Sequence, residues 1–146
     1  MVPVEQRQLY IAGEQSGDCW KCCLASILEL PYEDVPHFVE AAERDYSSYW
    51  NATQEWLRER GFVLASFWLR GTDRPLLKIH DREDIDYHFS APGHWIASVV
   101  SPRTTPEGEH ISHVVVMNGN QIAWDPHPQR DDGHLGFDEA FLLVAT

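Results

Sequence analysis

The chain is short of positive charge: 11 lysines and arginines stand against 23 aspartates and glutamates, for a formal net charge of −12. A carboxylate-rich surface gains nothing by meeting a phosphate backbone or an anionic bilayer, so neither nucleic acid nor a membrane is an expected partner. Cysteine is scarce as well. The three residues present, Cys19, Cys22 and Cys23, are odd in number and two are adjacent, which excludes a disulfide framework and points to a reducing, cytoplasmic setting. No apolar run reaches the roughly eighteen residues of a membrane span, and Met1 to Arg7 lacks the apolar core of a signal peptide. Internal repeats and low-complexity tracts are missing. What is present is a chain of 146 residues, a length that suits one domain with its own core.

Helix signals come first. Cys19, Cys22, Cys23, Ile27 and Leu30 recur at three- and four-residue steps behind Asp18, a good N-cap residue, so a helix is expected from Cys19 until Pro31 ends it. Tyr32 to Glu43 reads as a turn and a short helix, with Pro36 suited to its first turn and Phe38, Val39 and Ala42 facing inward. A third helix is expected from Ser48 to Arg60, stopped by Gly61 and packing through Tyr49, Trp50, Trp56 and Leu57. Ahead of all three, Val2 to Ala12 is short and mixed, with Leu9, Tyr10 and Ile11 the candidates for core contact.

The second half changes period. Phe62 to Leu69 is a β-rich run, Arg70 to Gly93 reads mostly as loop with a strand signal at Leu76 to Ile79, and three strand signals follow at His94–Val100, Ser112–Met117 and Gln121–Trp124. Asn118-Gly119-Asn120 between the last two suits the positive φ of a hairpin turn. Asp125-Pro-His-Pro leaves the hairpin as an ordered loop, and Phe141 to Ala145 fits either a final strand or the end of a helix. Helices followed by an antiparallel sheet give an α+β layer architecture.

Cys19 carries the chemical interest. A cysteine directly behind the Ser16-Gly17-Asp18 turn and at the first residue of a helix meets unpaired N–H groups and the positive helix end, which favour a thiolate. Thiol hydrolysis also needs an imidazole and a polar group that orients it. His113 lies in the first strand of the expected hairpin and Asp125 just past the second, so pairing of the two strands is able to bring both to one place.

These segments resemble a known family. Gly17-Asp-Cys19-Trp-Lys-Cys-Cys-Leu-Ala-Ser26 is similar to the nucleophile segment of papain-like cysteine peptidases, above all the bacterial double-glycine leader peptidases. Ser112-His113-Val-Val-Val and Ile122-Ala-Trp-Asp125-Pro126 resemble their histidine strand and Asp-Pro segment, in the same Cys, His, Asp order. Small bacterial and phage proteins with Asp-Cys and Asp-Pro-His-Pro segments look similar too. The two blocks cover about a third of the chain. The resemblance implies a papain-like fold in a single domain and a cysteine peptidase or related acyl hydrolase acting on a peptide or protein substrate without a cofactor. Cys19 would be the nucleophile, His113 the base and Asp125 its orienting group. Gln15 is the matching oxyanion donor, although it stands four residues before Cys19 where the family has six. Trp20 stands where the leader peptidases have glycine, as a tryptophan does in papain; Trp20 and His127 are candidate substrate contacts. The chain is shorter than most secreted papains, and broad protein digestion is not expected.

Other readings stay open. Transglutaminase-like acyl transfer uses the same three residues, and a papain-like binding module would keep the pocket without the chemistry. Cys19-Trp-Lys-Cys22 also spells the C-x-x-C redox motif, but without the preceding strand of a thioredoxin-like unit. Cys22 and Cys23 share the apolar spacing of the helix and are expected in its core. No second C-x-x-C or spaced histidine pair completes a zinc site, so no metal is expected. His37, His80, His88, His94, His110, His127 and His134 read singly as surface or loop residues, and Trp95 and Trp124 as core or cleft residues. Oligomeric state is not readable from the sequence.

Overall fold

The computed structural model describes residues 1–43, 45–79 and 86–146. His80 and part of the 70–93 segment lie outside them. Helix α1 spans Cys19–Leu28 and α3 spans Tyr46–Arg58, with the short α2 at Phe38–Ala41 between them. Each boundary has a local cause. Asp18 precedes α1 but makes no side-chain cap; its Oδ2 instead accepts from the backbone N–H groups of Arg7 and Gln8 at 3.1 and 3.2 Å and from the Tyr32 hydroxyl at 2.7 Å. The helix ends two residues before the expected Leu30, because Glu29 adopts a left-handed conformation at φ 55° and returns its N–H to the Ala25 carbonyl. Pro31 then keeps the chain from resuming it. His37 caps α2 by accepting the Glu40 N–H at its Nδ1, and Gly61 at φ 80° turns the chain out of α3.

Among the described residues seven strands form one antiparallel sheet in the order β3-β2-β1-β7-β4-β5-β6. They run Phe62–Arg70 (β1), Leu76–Leu77 (β2), Tyr87–His88 (β3), Ala91–Thr104 (β4), His110–Gly119 (β5), Gln121–Trp124 (β6) and Gly136–Ala145 (β7). The C-terminal segment is thus a strand, and it lies between β1 and β4, in register with both (Leu64 opposite Leu143, Ala97 opposite Ala140). The Asn-Gly turn joins β5 to β6 with Gly119 at φ 63°. Alternate strand residues feed two cores. Ile96, Val114, Val116 and Phe141 pack with Trp20, Leu24 and Leu57 of the helices, while Trp95, Val99, Val115, Met117 and Phe137 form the second cluster. The result is three helices packed on an antiparallel sheet, an α+β arrangement.

One expectation fails at the N-terminus. Leu9, Tyr10 and Ile11 are 38, 37 and 46% exposed, and Met1 and Val4 touch the core instead. The segment lies along α1 as a strap: Val2 N–H bonds to Ser26 O, Val4 N–H to Ser26 Oγ, and Gln6 N–H to the Pro126 carbonyl. It then reverses over Ile11–Gln15 to reach α1, which leaves the apex of the turn in solvent. Among the described residues no helix is long and apolar enough to cross a membrane.

Candidate active site

The β5–β6 hairpin sets the distance between His113 and the residue that follows β6. His113 Nε2 lies 2.7 Å from Asp125 Oδ1, and both side chains are largely buried. The loop after the hairpin holds the carboxylate from behind. His127 N–H donates to the same Oδ1 at 2.9 Å, an Asx turn of the kind an Asp-Pro step favours, while Arg130 Nε donates to the Asp125 carbonyl at 3.0 Å. On the other side, α1 crosses β5 with its first residue toward the histidine. The Cys23 thiol donates to the Val114 carbonyl at 3.6 Å, and one turn earlier the Cys19 side chain lies within hydrogen-bond reach of the His113 ring. With Nε2 committed to Asp125, Nδ1 is the ring nitrogen left for Cys19.

Electrostatics follow from this packing. Burial opposes a charged His113, but its hydrogen bonds to Asp125 and Cys19, with their charges, outweigh burial and raise its pKa from 6.5 to about 9. Burial likewise works against the Asp125 carboxylate; the His113 bond and charge, the His127 N–H and the Arg103 charge win and hold it below the usual aspartate value. His127 is depressed by burial and by the charges of Arg103 and His113. An imidazolium held between a carboxylate and a sulfur is therefore the favoured form of His113 at neutral pH.

Cys19, Trp20 and His113 open onto a cleft of about 500 Å³. One side carries Tyr10, Tyr46 and Tyr49; the sheet side carries Ser98, Ser112 and Glu139. An accessible sulfur, a charged imidazole and a carboxylate at its back form an arrangement able to attack an acyl carbon and to return a proton to its leaving group.

No family model, curated protein or solved structure matches this chain.

The other candidate residues fall elsewhere. Gln15 is not brought to the cleft: its side-chain amide donates to the Leu9 carbonyl at 2.6 Å, as part of the turn that returns the strap to α1. Trp20 does line the cleft but as a buried floor, 5% exposed, with Nε1 donating to Thr53 Oγ1 at 3.2 Å and its ring edge-on to Phe141 at 5.0 Å. His127 is neither a surface residue nor a cleft residue. It is 7% exposed, its ring stands perpendicular to His113 at 5.9 Å, and its Nδ1 accepts from Gln129 N–H, so it backs the site rather than facing a substrate. Trp95 is core, and Trp124 ties the strap to the hairpin by donating to the Val4 carbonyl. Cys22 and Cys23 are fully buried; burial pushes both thiols far up, and Cys22 donates to the Glu5 carbonyl. A thiol so buried is a poor partner for redox exchange with Cys19. Among the described residues no set of three or more histidine, cysteine or acidic side chains is placed to hold a metal.

Two contributors had little or no sequence signal. The supporting N–H of His127 was readable in principle, because Asp-Pro-x favours an Asx turn. Glu139 was not: it sits among Phe137, Ala140 and Phe141 in β7, and only the pairing of β7 beside β4 brings it to the cleft.

Proposed function

We propose that this protein is a papain-like cysteine hydrolase, a peptidase or related acyl hydrolase that cleaves a peptide, isopeptide or amide bond. The observation that carries the reading is His113, bonded to Asp125 at 2.7 Å and within reach of Cys19 at the wall of a cleft. In this mechanism the Cys19 sulfur attacks the acyl carbon of the substrate. The charged His113 gives its proton to the departing amine, and the acyl group stays on sulfur as a thioester. His113, now neutral, takes a proton from water, which attacks the thioester and releases the acid. Asp125 keeps the ring in one orientation and favours its charged form.

The oxyanion formed in each step needs donors. The Cys19 backbone N–H opens α1 and has no intrahelical partner, so it is the donor this reading uses; one good donor is worth about 3 to 4 kcal/mol. Three free thiols suit the reducing cytoplasm in which we place the protein. Alkylation tests the site directly. Iodoacetamide near neutral pH is expected to modify Cys19 well before Cys22 or Cys23, as read by peptide mass spectrometry, and His113→Ala is expected to slow that reaction. Slow and equal labelling of all three cysteines overturns the proposal.

A further inference from the structure

The cleft has a charge bias that the acyl chemistry leaves unused. Glu139 and Glu109 line it, and among the described residues no lysine or arginine does. Lys21, the basic residue nearest Cys19 in sequence, has its Nζ 3.8 Å from the centre of the Tyr32 ring, and Arg7 stacks on the same ring at 4.0 Å. Both cations thus stay with Tyr32 instead of meeting the cleft carboxylates.

Glu139 is the informative residue. It is 9% exposed and projects from β7, directly opposite Ser98 of β4, and both residues line the cleft. A carboxylate on a cleft wall with no lysine or arginine among the described lining residues loses hydration, and a positive ligand group restores the balance. Ser66 supplies one hydrogen bond, yet burial still raises Glu139 above the ordinary glutamate value. Tyr46 and Tyr49 line the same cleft, and their phenols are raised first by burial and further by the Glu139 charge. Tyr46 is half exposed and meets Tyr49 edge-on at 5.1 Å, so the pair offers aromatic surface to a cation while the carboxylate offers charge. Ser98 and Ser112, with their hydroxyl oxygens 3.4 Å apart, add acceptors along the same wall.

Building on the hydrolase reading, we infer that the cleft selects substrates bearing a lysine or arginine side chain next to the bond cleaved, with the cation seated between Glu139 and the Tyr46–Tyr49 pair. Glu139 is then a specificity residue and takes no part in bond breaking. A basic substrate also suits the overall charge of −12, which draws cationic peptides toward the molecule.

Two peptidyl acyloxymethyl ketones that differ only in lysine against norleucine next to the reactive carbonyl test the assignment. Each loses its carboxylate leaving group when Cys19 sulfur forms a carbon–sulfur bond to it, and the labelling rate is read by intact mass. The full chain is expected to react with the lysine probe about tenfold faster or more. Glu139→Gln is expected to bring the ratio of the two rates close to one. Tyr46→Leu, at a half-exposed position where folding is not at risk, is expected to lower the ratio as well. Equal rates for the two probes in the unmodified protein, or an undiminished ratio in both variants, overturn the assignment and leave the hydrolase reading standing. Failure of both probes to label Cys19 overturns the hydrolase reading and the assignment with it.

Discussion

At the scale of single residues, the charge state of His113 is the sharpest consequence of the geometry. Burial alone would push an imidazole below its ordinary 6.5; the Asp125 bond and the neighbouring Cys19 lift it to about 9. Asparagine at 125 keeps an acceptor oxygen near Nε2 but removes the charge. Asp125→Asn is therefore expected to bring the His113 titration down toward 6.5 or lower, followed by its ring proton shifts in NMR, and to reduce the proposed hydrolase activity by at least about a hundredfold. A titration that stays near 9 in the variant refutes the assigned cause. The same scale shows why Gln15 and His127 lie away from the cleft. A glutamine amide near a helix start satisfies whichever carbonyl the turn presents, and here the turn presents Leu9. The closeness of His127 to Asp125 in sequence suggests a substrate contact, yet the Asx turn that uses its N–H carries its ring behind the carboxylate.

Among the elements, α1 is the piece that joins the proposed active site to packing. Its first residue supplies the sulfur and its second, Trp20, fixes the helix against α3 through Thr53 and against β7 through Phe141. Thr53 Oγ1 also donates to the Tyr49 carbonyl at 2.7 Å, so Trp20 closes a chain of contacts that orders the aromatic wall of the cleft. Trp20→Ala is expected to cost about 3 to 5 kcal/mol, measured by urea unfolding, because it opens a cavity and removes the buried indole bond to Thr53. A loss under about 1 kcal/mol would sink the view that Trp20 is a structural floor rather than a substrate contact. α1 and the β5–β6 hairpin were legible because each is written locally, in a three-to-four apolar period behind Asp18 and in the Asn-Gly step at Asn118-Gly119. β7 was open between strand and helix because Phe137, Ala140, Phe141 and Leu142 suit either period, and pairing with β1 and β4, about seventy-five and forty residues away, decides it. β4 runs well past the expected segment, from Ala91 to Thr104, across Pro92, Gly93 and Pro102, residues that read locally as strand breakers and that the ladder admits at its irregular ends.

For the whole molecule, the buried titrating groups set a pH window of stability, and its sign follows from the direction of each shift. His113 is raised in the fold, so its contribution is complete below the unfolded value of 6.5 and is lost as pH climbs through about 9. Cys22 and Cys23 are raised from 9.0, so their loss begins only above that value and adds to the alkaline fall. His127 and His134 are lowered, chiefly by burial; the unfolded chain takes up their protons first, and stability falls as pH drops below 6.5. Asp125, lowered on balance by its bond to His113, adds to the acid loss below 3.8. The raised carboxyls of Asp138 and Glu139 act the other way and blunt that loss, since protonation relieves their burial. The stability maximum is thus expected near pH 6.5, with a decline between 6.5 and 9 that belongs to His113 alone among the buried groups with assigned shifts. Urea midpoints taken across pH 4 to 10 measure the curve, and His113→Gln, which keeps a side-chain amide for Asp125 but no titrating proton, isolates the alkaline limb. That variant is expected to be less stable below pH 6.5 and flat from 6.5 to 9, where the unmodified chain declines. If both proteins decline in parallel, the buried His113–Asp125 pair is not what the fold protects at neutral pH, and the electrostatic basis of the proposed active site goes with it.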